Sequence, residues 1–318
     1  MNKIAFIFPG QGAQYFGMGR DFYEQFDVSR NVYEEAGRLT GLDIKSLCFE
    51  ENSQLSLTEY TQIAMMVTSH AILQAVREQG LEASIHAGLS LGEYNALLAS
   101  SVISFEAACR LVRKRGVYMQ QAVPVGIGTM AAVLGLSEKA TEQELTKIDG
   151  VVQIANYNCP GQVVISGEVK AVERAKEKLL LAGAKRVISL NVSGPFHSKL
   201  LKGAGDKLAE ELETIVVNSI KVPYVSNVTA NLVTDEKEVK DLLKQQVYSS
   251  VRWKQSVERM IQWGAEVFIE IGPGKTLTGF MKKINRDVKA YHIETISDMN
   301  QVFKELKEAG VCCKEKLL

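Results

Sequence analysis

The run Gly88-Leu89-Ser90-Leu91-Gly92 limits the folds open to this chain more than any other stretch. Leu81 to Ala87, before it, reads as a short strand. Glu93 to Ser100, after it, carries Tyr94, Leu97 and Leu98 at helical spacing. G-x-S-x-G in that setting predicts a strand–turn–helix unit with the serine on a sharp bend. Gly88 and Gly92 then stand where backbone meets backbone and a Cβ has no room. Ser90 is expected at a helix N-terminus, where free N–H groups and the helix dipole favour developing negative charge. Matches this short also arise by chance, so the rest of the chain decides between a nucleophile elbow and an ordinary turn.

The chain has 318 residues, 46% hydrophobic and 23% charged, enough to bury a large core in one domain with an insertion or in two domains. Its 37 basic and 37 acidic residues give a formal net charge of +0, which argues against nucleic acid as a partner. Five scattered cysteines (Cys48, Cys109, Cys159, Cys312 and Cys313) without a CxxC pair read as free thiols in a reducing cytosol. With four histidines and no HExxH or paired Cys/His spacing, no metal is expected. No apolar run is long enough for a bilayer, and Met1-Asn2-Lys3 leads into a strand instead of a signal peptide. The expectation is a cytoplasmic protein without membrane attachment.

Ile4 to Phe8 reads as a buried first strand, ended by Pro9-Gly10-Gln11-Gly12-Ala13-Gln14. Tyr15 stands where a dinucleotide loop needs its third glycine, which argues against nucleotide binding. Thr61 to Gln79 reads as an amphipathic helix, with Gln62 free to face a pocket and His70 among apolar neighbours. Ser104 caps a helix to about Gln121, on whose apolar stripe Arg115 falls. An inward guanidinium is costly unless an anion meets it, so it is a structural ion pair, a side chain snorkelling out, or a carboxylate-binding group beside the serine. Val125 to Val192 reads β-α-β-β-α-β, the ferredoxin-like order, as a small domain inserted into a larger one, with Asn156 to Gly161 as a hairpin loop. His197 lies in a turn-rich segment at a strand end, where catalytic groups gather. Tyr224 to Val228 is a further strand and Val267 to Ile271 the last buried one. It ends in Gly272-Pro273-Gly274-Lys275-Thr276, which lacks the first glycine of a phosphate loop. The tail Val311 to Leu318 is expected to fray.

In combination and order, the motifs GQG (Gly10–Gly12), GxSLGE (Gly88–Glu93), RGxxM (Arg115–Met119), NxPGQVV (Asn158–Val164), PFHS (Pro195–Ser198) and EIGPG (Glu270–Gly274) resemble the malonyl-CoA:acyl carrier protein transacylases. These belong to the acyltransferase family of fatty acid and polyketide synthesis. The resemblance implies an α/β fold: an α/β-hydrolase-like large domain with a parallel sheet (residues 1–124 and 194–318) and a ferredoxin-like insertion (residues 125–193). It implies Ser90 as the acylated nucleophile, His197 as its base, and the N–H groups of Gln11 and Leu91 as the oxyanion hole. The Gln246 main-chain carbonyl would orient the imidazole, so no carboxylate need complete a triad. On the substrate side it implies Arg115 against the malonyl carboxylate, with Gln62, Met119, Phe196 and Asn158; Phe196 would exclude an α-methyl branch. The implied partners are malonyl-CoA and holo acyl carrier protein, with no cofactor and a monomeric enzyme. Lys185 and Arg186 are candidates for a basic rim or for a solvated turn. Leu89, Ser250, Ile63 and Gly194 depart from the family's usual histidine, proline, proline and alanine. Competing readings are a serine thioesterase or esterase on the same scaffold, an acyltransferase loading a polyketide carrier, and an inactive docking module.

Overall fold

The computed structural model describes residues 3–124 and 126–310. Met1, Asn2, the expected boundary at Val125 and the tail with Cys312 and Cys313 lie outside them. Ten strands follow in chain order: β1 (Lys3–Phe8), β2 (Ile85–Gly88), β3 (Gly128–Leu134), β4 (Val152–Cys159), β5 (Gln162–Glu168), β6 (Arg186–Ser189), β7 (Tyr224–Val225), β8 (Leu232–Val233), β9 (Ala265–Ile271) and β10 (Lys289–Ile293). The larger sheet runs β10-β9-β1-β2-β7-β8 and is parallel except between β7 and β8. The smaller runs β4-β5-β3-β6 and is antiparallel throughout.

β1 is an unbroken apolar run because it is central in a parallel sheet covered on both faces. Alternation along the strand sends Ile4, Phe6 and Phe8 into one core and Ala5 and Ile7 into the other. The first core also takes residues of the Thr58–Glu78 and Phe105–Gln121 helices; the second takes those of the Trp253–Gln262 and Thr276–Ile284 helices. The helix expected as amphipathic over Thr61 to Gln79 spans Thr58–Glu78 and has no polar outer face along most of its length. Every residue from Thr61 to Leu73 is buried, polar ones included, because it is the central helix of its layer.

Three other expectations change. β9 is not the last strand: β10 follows at the sheet edge, and its exposed Lys289 and half-buried Ala290, Tyr291 and His292 lack the continuous apolar signal of a central strand. The strand expected over Tyr224 to Val228 stops at Val225, and Ser226 to Ala230 form a turn closed by Ala230 N–H donating to the Ser226 carbonyl (2.9 Å). Asn156, Tyr157, Asn158 and Cys159 belong to β4, so only Pro160-Gly161 turns the hairpin, with Gly161 at φ +71°. Two register irregularities in β4 accommodate this polar stretch. β4 also joins the two sheets' surroundings: Tyr157 N–H donates to the Val251 carbonyl (2.9 Å) and Val251 N–H to that of Ala155 (2.7 Å).

Candidate active site

The bend between β2 and the Gly92–Ala99 helix puts Ser90 at φ +52°, a left-handed conformation that non-glycine residues rarely hold. Both glycines are required sterically. A Cβ on Gly88 would lie 1.9 Å from the Gly92 carbonyl carbon, and one on Gly92 would lie 2.2 Å from the Phe8 carbonyl oxygen. The bend is pinned by Asn227, a residue the sequence reading passed over. Its Oδ1 accepts from Ser90 N–H (2.6 Å) and its Nδ2 donates to the Gly88 carbonyl (2.7 Å). Its signal was its place just past the C-terminal end of a parallel strand, where site residues gather. It was obscured because β7 was expected to run through it.

Ser90 Oγ lies 2.7 Å from His197 Nε2. His197 Nδ1 is 2.8 Å from the main-chain carbonyl of Gln246. A carbonyl only accepts, so Nδ1 carries the proton and Nε2 is left to accept from the serine hydroxyl. His197 is itself at φ +56°. Gln153 steadies its backbone, with Nε2 donating to the His197 carbonyl (3.1 Å) and Oε1 accepting from Lys199 N–H (3.1 Å). Burial, and then the neighbouring Arg115 charge, lower the His197 pKa to about 4, while the Gln246 carbonyl acts in the opposite sense. The imidazole is therefore neutral near pH 7.

Arg115 is 1% exposed and meets no carboxylate directly among the described residues. It donates to Gln62 Oε1 (2.6 Å), Gln246 Oε1 (2.9 Å) and Ser90 Oγ (3.1 Å), all neutral acceptors. Its Nε–H has no partner among the described residues, and its guanidinium lies 5.5 Å from the Tyr94 ring centroid. Its direct partners are dipoles, with the Glu93 carboxylate acting on it from behind Gln246, so the guanidinium can still take an anionic ligand at the serine.

These groups open into a cavity of about 220 Å³. Nine of the ten residues singled out from the sequence line it: Gln11, Gln62, Ser90, Leu91, Arg115, Met119, Asn158, Phe196 and His197. The tenth, Gln246, stands behind His197 and Arg115. The N–H groups of Gln11 and Leu91 have no hydrogen-bond partner among the described residues. Asn158 reaches the cavity from β4, not from a hairpin loop, and its Oδ1 is buried without a partner among the described residues. Leu89 lines the wall, as do Met130, Asn156 and Phe280, which the sequence reading did not single out. Lys185 and Arg186 are exposed and do not line it. His70 stacks on Phe105 (centroids 4.8 Å apart), and His86 is bonded to Ser100 Oγ (2.8 Å). Cys48, Cys109 and Cys159 are buried free thiols. Among the described residues, His292, Glu294 and Asp298 form one group with ligand-type atoms within 4.8 Å of one another; none of them lines the cavity.

The family description "Acyl transferase domain" matches residues 5–305. The chain is 45% identical over 312 residues to the malonyl CoA-acyl carrier protein transacylase of Bacillus subtilis (strain 168), covering 97% of this chain and 98% of that protein. Its fold is similar to the crystal structure of malonyl CoA-acyl carrier protein transacylase from Clostridium perfringens, with a TM-score of 0.95, 42% identity and coverage of 97% and 98% of the two chains. It is also similar to a malonyl-transacylase solved in complex with its type II PKS acyl-carrier protein, with a TM-score of 0.93, 38% identity and coverage of 95% and 99%. The chain belongs to the acyl transferase domain family.

Proposed function

We propose that the chain transfers a malonyl group from malonyl-CoA to the phosphopantetheine thiol of an acyl carrier protein, through a malonyl ester on Ser90. The observation that carries this reading is that Ser90 Oγ lies within hydrogen-bond distance of both His197 Nε2 (2.7 Å) and Arg115 Nη2 (3.1 Å). One cavity thus offers a nucleophile, a neutral base and a cation that touches no carboxylate among the described residues.

In the first half-reaction His197 Nε2 takes the Ser90 proton as Oγ attacks the thioester carbonyl. The oxyanion develops against the N–H groups of Gln11 and Leu91. The C–S bond breaks and CoA leaves with the proton returned by His197. In the second, the carrier's thiol attacks the malonyl ester, His197 takes the thiol proton, and Ser90 leaves as the alcohol. The Gln246 carbonyl keeps the proton on Nδ1 throughout, the orienting task a carboxylate performs in a full triad. Arg115 pairs with the free carboxylate, and Gln62 holds the guanidinium. Met119, Asn158 and Phe196 bound the acyl group, with Phe196 set against an α-methyl branch. The scheme uses no cofactor.

The catalytic unit in this reading is α/β-hydrolase-like, residues 1–124 and 194–318, with residues 125–193 as a ferredoxin-like insertion; the order β3, helix, β4, β5, helix, β6 supports it. The enzyme acts as a cytoplasmic monomer in fatty acid synthesis. No helix among the described residues is long and apolar enough to cross a membrane. The similarity to a transacylase bound to a polyketide carrier favours, as a second reading, malonyl loading of such a carrier.

The test is intact mass after mixing with malonyl-CoA. A stable malonyl adduct on the parent protein, absent from Ser90→Ala, is expected; rapid loss of the adduct to water would favour a hydrolase. Transfer to holo fatty acid and holo polyketide carriers then separates the two pathways.

A further inference from the structure

We infer that Glu93 is a positioning residue whose buried carboxylate fixes both side chains that hold the reacting groups. This rests on the proposed reaction only for the identity of the acyl group. Glu93 is the one acidic residue of the Gly92–Ala99 helix, every residue of which is buried, and is itself 0% exposed. Its Oε2 accepts from Gln246 Nε2 (2.6 Å) and from Asn227 N–H (3.2 Å), while Oε1 has no partner among the described residues.

Each of these two donors belongs to a residue that grips the site. Gln246 bonds His197 through its carbonyl (2.8 Å), Arg115 through Oε1 (2.9 Å) and the Ser90 carbonyl through Nε2 (2.9 Å). Asn227 brackets the strained bend from Ser90 N–H to the Gly88 carbonyl. One carboxylate oxygen therefore sets the holder of the base and the guanidinium, and also the holder of the nucleophile.

An amide side chain has an oxygen end and a nitrogen end of nearly the same shape, and its surroundings decide which way it lies. With Glu93 accepting, the nitrogen end of Gln246 faces the carboxylate and the oxygen end faces Arg115. Without that acceptor the amide is free to turn, and an NH₂ would then oppose the guanidinium, donor against donor. Burial pushes the Glu93 pKa up to about 7. This leaves the role intact, because a protonated carboxyl keeps one accepting oxygen.

The experiment measures how fast a fluorophosphonate phosphonylates Ser90, followed by intact mass, in the full chain. The reaction forms a P–O bond, expels fluoride and needs the His197 base, but no malonyl group. A wrong acyl substrate would therefore not affect it. Glu93→Leu fills the space without an acceptor, and Glu93→Gln restores the acceptor. Misplacement of a reacting group by 1 Å costs on the order of 10²-fold, so Glu93→Leu is expected to label about 10²-fold more slowly, with most of the rate recovered in Glu93→Gln. The malonyl-to-acetyl transfer ratio should fall in the same order. Equal labelling by the two variants would show that Glu93 only fills volume and would overturn the inference. Should Glu93→Leu not fold, Glu93→Asp carries the test, because it keeps the carboxylate but withdraws it by one methylene. It is expected to label roughly tenfold or more slowly than Glu93→Gln, and equal rates would overturn the inference.

Discussion

Replacing Arg115 by alanine should convert a malonyl-selective site into one that no longer distinguishes malonyl from acetyl. The guanidinium is 1% exposed and reaches Ser90 Oγ at 3.1 Å, so a carboxylate two bonds from the acyl carbonyl falls within its range. Hydrogen bonds to charged groups contribute about 1.5–3 kcal/mol each. Losing a two-point pairing therefore costs malonyl transfer about 3–6 kcal/mol, or about 10²–10⁴ in kcat/KM. Acetyl-CoA has no carboxylate to lose, and in the parent enzyme it leaves a buried cation unpaired. Its kcat/KM should change far less, so the malonyl-to-acetyl ratio falls by nearly the whole factor. The alanine also leaves Gln62 Oε1 and Gln246 Oε1 without their donor and lowers stability. Because both substrates are measured on one preparation, the ratio cancels any loss of folded protein. The pH profile supplies a second sign. The Arg115 charge helps hold the His197 pKa at about 4, and the imidazole must be neutral to accept the serine proton. Removing that charge lets the pKa rise towards its ordinary value, so the acid limb of kcat/KM moves to higher pH. An unchanged ratio with an unmoved acid limb would refute the assignment.

Phe196→Ala should raise methylmalonyl transfer relative to malonyl by about tenfold or more, the usual worth of one methyl group in an apolar pocket; competition between the two CoA esters measures it. Gly88→Ala should cost about 3 kcal/mol or more, since backbone stands 1.9 Å from the new Cβ; urea unfolding would refute this if its midpoint matched the parent's. Stability should also fall more steeply below about pH 4.5. Burial holds His70 and His86 at about 3, and burial with Arg115 holds His197 at about 4, so below an unfolded value of about 6.5 the unfolded chain binds more protons and stability is lost as pH drops. Glu93 and Glu270, raised to about 7 by burial, oppose this above their unfolded value of about 4.5, because there the folded state holds the extra protons. Below that value the opposition fades, and the histidines give about 3 kcal/mol per pH unit near pH 4, where His197 is itself half protonated. Urea unfolding from pH 7 to 4 checks the slope, and a constant slope would contradict it.

The elements that local pattern specifies were legible in the chain. β1 from Ile4 to Phe8 is a continuous apolar run and β9 a largely apolar one, both interior parallel strands. The Ser104 cap is realised, its side chain accepting from Ala107 N–H (3.1 Å). Features that depend on neighbours were not legible. β10 is an edge strand with a mixed pattern, and the all-round burial of the Thr58–Glu78 helix follows from its place at the centre of a layer. Asn156 and Asn158 read as a polar loop because polarity alone does not distinguish solvent from the wall of a cavity. Asn227 and Glu93 hold their places through partners more than 130 positions away.

By itself the sequence determined that serine 90 sits on a tight bend, because only glycines at 88 and 92 permit strand, turn and helix to pack so closely. It also determined that an arginine lies on the apolar face of a helix. The tertiary structure alone decided that this arginine meets neutral oxygens and not a carboxylate, and that His197, 107 residues from the serine, lies within a hydrogen bond of it. The physical reason is range: sterics and periodicity act over a few residues, whereas hydrogen bonds and charge act across whatever the sheet order brings together.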